Sequence, residues 1–422
     1  MSPARQAHVT TVPCAILGAG PTGLSAAYHY GAGSLLLERH REVGGWCRSI
    51  EDNGFTFDYA GHIMFSHDPY VLGLYEKLLG DNMHWQDREA WIYSQGVYSR
   101  YPFQGALYGL PPAVIKECLL GAIAARFPHA GAVSADSADA PHVDGPDQAG
   151  RIPGNFEQFI QQACGDGIGK HFALPYNQKL WTVPLSEMET SWLGGRVPLP
   201  DLDQIISGAL EPVGPPQGPN ARFGYPLKGG FQALMSGFLP HLHGELATDS
   251  EVVSLQPEAH LLTLDNGRRY RYGDLISTMP LPALIAMMGD AAPDAVNDAA
   301  HALRHISVRC VNLGIGRSAL TDKHWIYYPG DTLFHRIFVH GNASQHSNAP
   351  GGFALTCELT YSSYKPLPLE GQALIDRCIS DCIRVGLFRA DDKIVTANMV
   401  DMPYAYVLYD HARAAHVATV RL

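Results

Sequence analysis

Three glycines, Gly18, Gly20 and Gly23, follow a short apolar run (residues 12–17) and precede an Ala-rich helical stretch. A strand, a glycine turn and a helix in that order form the cradle of a dinucleotide. Gly18 permits the tight turn, Gly20 lets a diphosphate approach the backbone, and Gly23 lets helix and strand pack closely while the helix N-terminus faces the phosphates. A second apolar run (34–37) ends in Glu38, twenty positions after Gly18. A carboxylate there accepts hydrogen bonds from ribose hydroxyls and disfavours a 2′-phosphate. Gly44, Gly45 and Arg48 come next. A glycine pair after the acidic residue fits the flavin version of the cradle better than the nicotinamide version, so FAD is the first expectation and an ordinary strand-to-helix turn the alternative.

Charge and imidazole supply the other candidates. Arg336 stands among alternating apolar residues in Phe334-His-Arg336-Ile-Phe-Val-His340, and a charge on a strand face either pairs with a protein carboxylate or awaits an anionic ligand. His62 follows Gly61 and precedes an apolar run, so its backbone can approach a flat cofactor; a buried histidine with satisfied nitrogens is the competing reading. The chain holds twenty histidines. His62, His67 and Asp68 form one metal-ligand candidate, and His301 with His305, read as four apart on a helix, another; a structural role competes in both cases.

These residues need elements to hold them. Residues 55–58 alternate as a strand, and residues 91–98 read as a hairpin turning at Gln95-Gly96, followed by Tyr101-Pro-Phe-Gln104, a ring and an amide suited to a base. Residues 127–154 turn to Ala, Asp, Gly, Pro and His, the composition of a surface loop. Residues 156–192 read as helical and contain Pro175-Tyr-Asn177-Gln-Lys-Leu-Trp181, a mixture of flat apolar faces and fixed donors that suits a sugar; core packing is the alternative for half of those aromatics. Residues 223–242 read as a turn at 228–230 leading into an amphipathic helix, and strands follow at 251–256, 261–264 and 270–275. The segment 307–358 alternates strongly, as strands of a mostly antiparallel sheet do.

The resulting fold class is α/β: a Rossmann-like, FAD/NAD(P)-binding type of domain (1–90 plus 223–295), a helical substrate lobe (105–222, with an insertion at 127–154), and an antiparallel sheet domain (91–104 plus 296–422). The 422 residues are 46% hydrophobic with a net charge of −11, which argues against nucleic acid and requires a local cluster of cations around any anionic ligand. The eight cysteines show no CxxC. Cys378 and Cys382 read as one packed helix face in a reducing compartment. With no charged-then-apolar leader and no uninterrupted apolar span, a cytoplasmic protein without a membrane partner is expected.

Taken in order, these residues resemble the UDP-galactopyranose mutase group of the FAD-dependent amine-oxidase and protoporphyrinogen-oxidase superfamily, and are most similar to its eukaryotic type. The resemblance runs from Val12 to about Tyr409. It implies that Gly61-His62 meets the flavin ring, that Tyr101 and Gln104 hold the base, and that Asn177 and Trp181 line the sugar pocket. It further implies that Arg196, in Trp192-Leu-Gly-Gly-Arg196-Val, and Arg336 clamp the diphosphate, with Trp325 and Tyr327 beside the nucleotide and Tyr404 on the phosphates. Tyr364 is placed with the substrate-binding residues. The implied activity is pyranose–furanose interconversion of a UDP- or GDP-linked hexose, an isomerisation without net redox. The alternatives are a flavin oxidoreductase of the amine-oxidase or desaturase type and a cofactor-less sugar-nucleotide binder. Two features depart from the pattern. The family carries a Gly-Arg motif beyond the position of Tyr404, where this chain has eighteen further residues without it, and an arginine before that tyrosine is replaced in Ala397-Asn-Met-Val-Asp-Met-Pro. The cofactor expectation is therefore divided between FAD and a divalent metal, manganese or magnesium, held against the diphosphate.

Overall fold

A computed structural model describes residues 9–127, 153–194, 201–214 and 221–421. The acidic stretch 128–152 and Arg196 lie outside the described residues.

The fully buried run Ser34–Leu37 can only be a central strand, and it lies parallel to Val9–Leu17 on one side and to Glu245–Ala247 on the other. Arg269–Ser277 pairs in parallel with the far edge of Val9–Leu17, and Leu261–Leu264 and Val252–Gln256 extend the sheet in antiparallel fashion. Six strands thus come from two distant parts of the chain, with the helix Pro21–Tyr30 packed on them.

The second sheet has seven strands in the spatial order Ile394–Val407, His305–Ile315, Phe353–Tyr361, Arg336–Phe338, Trp325–Tyr327, Ala90–Ser94 and Val97–Arg100. All its neighbours are antiparallel except Trp325–Tyr327 against Ala90–Ser94. Strand alternation gives this sheet two unlike faces. One carries Val311, Ile326, Ile337 and Cys357, packed beneath Leu374, Cys378 and Cys382 of the helix Gly371–Arg384. On the other face, cross-strand register aligns Tyr327, Arg336, Glu358 and Cys310 in one row and Trp325, Phe338, Thr356 and Asn312 in the next. A buried sheet face this polar is the mark of a site rather than of a core.

The helical lobe contains Pro112–Arg126, Phe156–Ile168, Gly169–Ala173, Leu174–Trp181 and Leu202–Leu210. Asn155 starts the second of these by accepting the Gln158 N–H at 2.9 Å, as Asp201 starts the last by accepting that of Gln204 at 2.8 Å. Two expectations are corrected here. The helical segment from 156 stops at Trp181, where Thr182 takes φ +63°, and only a short turn follows. Residues 222–226 form a strand paired with Met83–Asp87, and the helix after the glycine turn spans only Gln232–Ser236.

Asp58 ties the first sheet region to its surroundings. Its carboxyl accepts from Ser49 Oγ at 2.6 Å, Tyr225 Oη at 2.6 Å and the Phe231 N–H at 2.9 Å, and it is fully buried. Tyr225→Phe removes one hydrogen bond to that carboxyl and is expected to lower stability by about 1.5–3 kcal/mol. Urea denaturation checks this. A loss below about 0.5 kcal/mol would show that Ser49 and Phe231 suffice.

Candidate functional site

The glycine turn has the geometry of a phosphate cradle. Gly18 takes φ +92°, and a methyl group on Gly23 would lie 1.8 Å from the Gly18 carbonyl oxygen. Gly45 approaches so closely that its own Cβ would stand 3.1 Å from Gly20 Cα. The helix Pro21–Tyr30 begins at Gly20 with no side-chain cap, which leaves its first amides open to an anion. Glu38 turns into this loop: its Oε2 accepts from the Ala19 N–H at 2.8 Å and its Oε1 from that of His40 at 2.9 Å. Each oxygen keeps a lone pair for a ribose hydroxyl. Arg48 donates to the Gly45 carbonyl at 3.0 Å and lies over the Tyr59 ring. These residues fit the adenosine-diphosphate half of a dinucleotide.

Arg336 stands opposite Glu358 across the antiparallel pair. It donates through Nε to Glu358 Oε2 at 3.0 Å and through Nη2 to the same oxygen. The other carboxylate oxygen accepts from the Gly61 N–H at 3.3 Å. One fully buried carboxylate thus orients both the arginine and the loop that carries His62. Burial pulls the Arg336 pKa down, but Glu358, followed by Tyr406, Tyr327 and Tyr176, outweighs it and holds the guanidinium charged. The Tyr406 ring lies beside the guanidinium, whose charge holds the phenol's pKa down against the rise from burial. Burial also lowers the pKa of His62, against the pull of Asp58 and Glu358, and its Nδ1 is buried without a partner.

Around this pair the expected aromatic residues assemble. Tyr101 stacks on Tyr327 at 5.1 Å between centroids, and burial, with Tyr327 adding to it, pushes the Tyr101 hydroxyl up to about 12. Tyr327 meets Tyr176 edge-on at 5.6 Å. Trp325 is buried against Phe338 and Phe223. Gln104 is buried in the turn Phe103–Gly105. Asn177 donates to the Ala173 carbonyl at 2.8 Å, and Trp181, its indole N–H buried without a partner, lies edge-on to Trp192 and Tyr406.

Four residues of this group escaped the sequence reading. Glu358 is opposite Arg336 only by strand register. Tyr176 sits beside Asn177 in the chain, and Tyr406 alternates with Tyr404; adjacency to an expected residue was the available signal. Arg88 gave none: it donates to the Tyr327 hydroxyl at 3.0 Å, lies over Trp325 at 5.0 Å and Tyr101 at 5.8 Å, and makes no ion pair among the described residues.

Other expected residues stand elsewhere. The ring of Tyr404 lies on His305 at 4.3 Å and its carbonyl accepts from Trp46 Nε1, so the tyrosine on Arg336 is Tyr406 instead. Tyr364 is 58% exposed and bonds Glu187 at 3.1 Å. His301 ends a helix and His305 begins a strand, which breaks that candidate metal pair. His67 packs on Phe65, and Asp68 caps the helix Pro69–Leu79 through the Tyr70 N–H. Among the described residues no group of three or more His, Cys, Asp or Glu side chains is placed to hold a metal ion, so the expected metal finds no protein ligand set. No described helix is long and apolar enough to cross a membrane.

Comparison with known proteins agrees with this fold. The NAD(P)-binding Rossmann-like domain family matches residues 16–78. The chain is similar to reduced UDP-galactopyranose mutase, with 28% identity over 97% of this chain and 86% of that one and a TM-score of 0.85. A protein of Exiguobacterium sp. 255-15 assigned as a protoporphyrinogen oxidase shares the fold at 17% identity, covering 98% and 91% of the two chains with a TM-score of 0.67. Putrescine oxidase shares it at 15% identity, covering 97% and 90%, with a TM-score of 0.62. The chain is therefore UDP-galactopyranose mutase-like in structure, within the amine-oxidase and protoporphyrinogen-oxidase fold, as its residues led us to expect.

Glu358→Ala leaves the Arg336 charge buried and unpaired, and is expected to lower stability by about 3–5 kcal/mol. Adding Arg336→Met to that variant should recover a large part of the loss. Denaturation of the single and double variants tests this, and additive losses would show that the two side chains are not coupled.

Proposed function

We propose that the protein interconverts the pyranose and furanose forms of a nucleotide-diphosphate hexose without net oxidation. The observation that carries the reading is a diphosphate-ready guanidinium: Arg336 is held charged, anchored by one carboxylate, and otherwise surrounded by tyrosine hydroxyls and flat rings. The likeness to a mutase over nearly the whole chain supports it.

In this reading the base lies by Tyr101 and Gln104, and the hexose by Asn177 and Trp181. Glu358 neutralises much of Arg336, so further cations must meet the diphosphate. Arg88, which makes no ion pair among the described residues, is one, and Arg196, which the resemblance pairs with Arg336, is the other. Arginine suits this task because its planar donors match phosphate oxygens two at a time. When the bond between diphosphate and anomeric carbon breaks, negative charge builds on the departing oxygen. Fixed guanidinium and tyrosine donors there stabilise the transition state more than the ground state. Neutral His62 adds no charge of its own, so the field at the anomeric carbon is set by the arginines.

The residues at Gly18, Gly20, Gly23, Glu38, Gly44, Gly45 and Arg48 would hold FAD. When bound and reduced, it would supply a nucleophilic ring nitrogen to the anomeric carbon.

The deciding experiment incubates the purified protein with UDP-galactopyranose and with a GDP-hexose, with and without FAD, dithionite, magnesium and chelator, and resolves the products by chromatography and NMR. A furanose product is expected, and Arg336→Ala should lower kcat/KM by roughly 100-fold or more. An oxidised sugar or amine product would favour the oxidoreductase reading. Activity abolished by chelation and indifferent to dithionite would remove flavin from the reaction.

A further inference from the structure

His335 immediately precedes Arg336, and nothing in the reading above uses it. It is 1% exposed, and neither ring nitrogen has a hydrogen-bond partner. Buried ring nitrogens in folded proteins are almost always paired, because an unpaired one forfeits its hydration. The backbone around His335 is held on both sides: its N–H donates to the Glu358 carbonyl at 3.0 Å, and its own carbonyl accepts from the Tyr328 N–H at 2.9 Å.

The surroundings connect this ring to the Arg336 site. Its centroid lies 6.2 Å from that of Tyr176, the same ring that meets Tyr327 edge-on at 5.6 Å. Tyr176 is thus shared between His335 and the arginine's tyrosines. Burial, reinforced by Arg336, Lys179 and Lys365, keeps the imidazole neutral. A neutral imidazole presents one N–H and one lone pair. An anion would use only the first of these and a cation only the second. A polyol uses both, since each hydroxyl donates and accepts.

We propose that His335 is a sugar-binding residue, whose two unpaired nitrogens are completed by hydroxyls of the hexose when a nucleotide sugar occupies the Arg336 site. This rests on the proposed function and assigns to it a residue that recognises the hexose rather than the nucleotide. In the unliganded protein the ring is a local liability, retained because the ligand relieves it.

The test compares the full-length protein with His335→Phe and His335→Gln, using calorimetric titration with UDP and UDP-galactopyranose, and with GDP and a GDP-hexose, alongside thermal unfolding. His335→Phe keeps a flat ring and removes both unpaired nitrogens. We expect its Tm without ligand to be unchanged or higher by about 1–3 °C. Its affinity for the nucleotide sugar should fall roughly tenfold, while that for the nucleoside diphosphate stays within about twofold. His335→Gln, which keeps a donor and an acceptor, should regain part of the loss. If His335→Phe binds the nucleotide sugar as tightly as the parent does, the proposal is overturned and the mutase reading stands. Equal weakening toward both ligands would make the effect structural and overturn it too. A parent protein that binds no nucleotide sugar would instead remove the mutase reading, and this proposal with it.

Discussion

The pairing of Arg336 with Glu358 is the constraint on which the rest of the site depends. Two opposite charges on facing strands of a buried sheet are tolerable only together, because either one alone would be desolvated without compensation. The pair consumes two donors of the guanidinium and keeps the arginine charged where burial would otherwise oppose it. Through its second oxygen Glu358 also holds the Gly61 amide, so the position of the His62 loop depends on the same carboxylate. Strand register, a property of the whole sheet, thereby sets the distance between the Arg336 charge and the His62 loop, to which the proposed function gives the diphosphate and the cofactor.

The two sheets divide the chemistry between them. The parallel sheet ends in an uncapped helix and an inward-turned carboxylate, which suits a nucleotide cofactor. The seven-stranded sheet offers a face of Tyr327, Arg336, Glu358, Trp325 and Thr356, which suits a second nucleotide with a sugar attached. Asp58 and His340 lie between these regions. His340 meets Thr356 Oγ1 at 2.7 Å through Nε2, and its Nδ1 stands 3.8 Å from Asp58. Burial lowers its pKa to about 4, so the junction carries an uncharged ring beside a carboxyl.

On a chain with a net charge of −11, anion binding has to be local. Arg88 shows how this is arranged. It stands over two rings and bonds a tyrosine hydroxyl, with no ion pair among the described residues. Aromatic faces can accompany a cation in this way because their quadrupole attracts it without competing for a phosphate. Tyr101, Trp325 and Tyr327 therefore hold a charge in place, and in the proposed function they also offer flat surface to the ligand.

Local sequence determined whatever depends on neighbours in the chain. The strand, glycine turn, helix and Glu38 are contiguous, and the glycines there are required by backbone contacts a side chain would block. The hairpin at Gln95-Gly96 and the strands around Asp265-Asn-Gly267 follow from the same short-range rules, and Arg336 announced itself as a charge in an apolar alternation. The strand at 222–226 was misread because pairing with Met83–Asp87 outweighed local pattern, whereas the helix end at Trp181 is a local break, at a left-handed Thr182 two residues before Pro184. Tyr404 and Tyr406 alternate on one strand, so sequence could select the face but not which of the two rings reaches the arginine. Glu358 reaches Arg336, Arg88 reaches Tyr327 and His335 reaches Tyr176 only in the fold. What a buried charge or an unpaired imidazole faces is decided by register and packing between segments far apart in the chain, and no local rule encodes that.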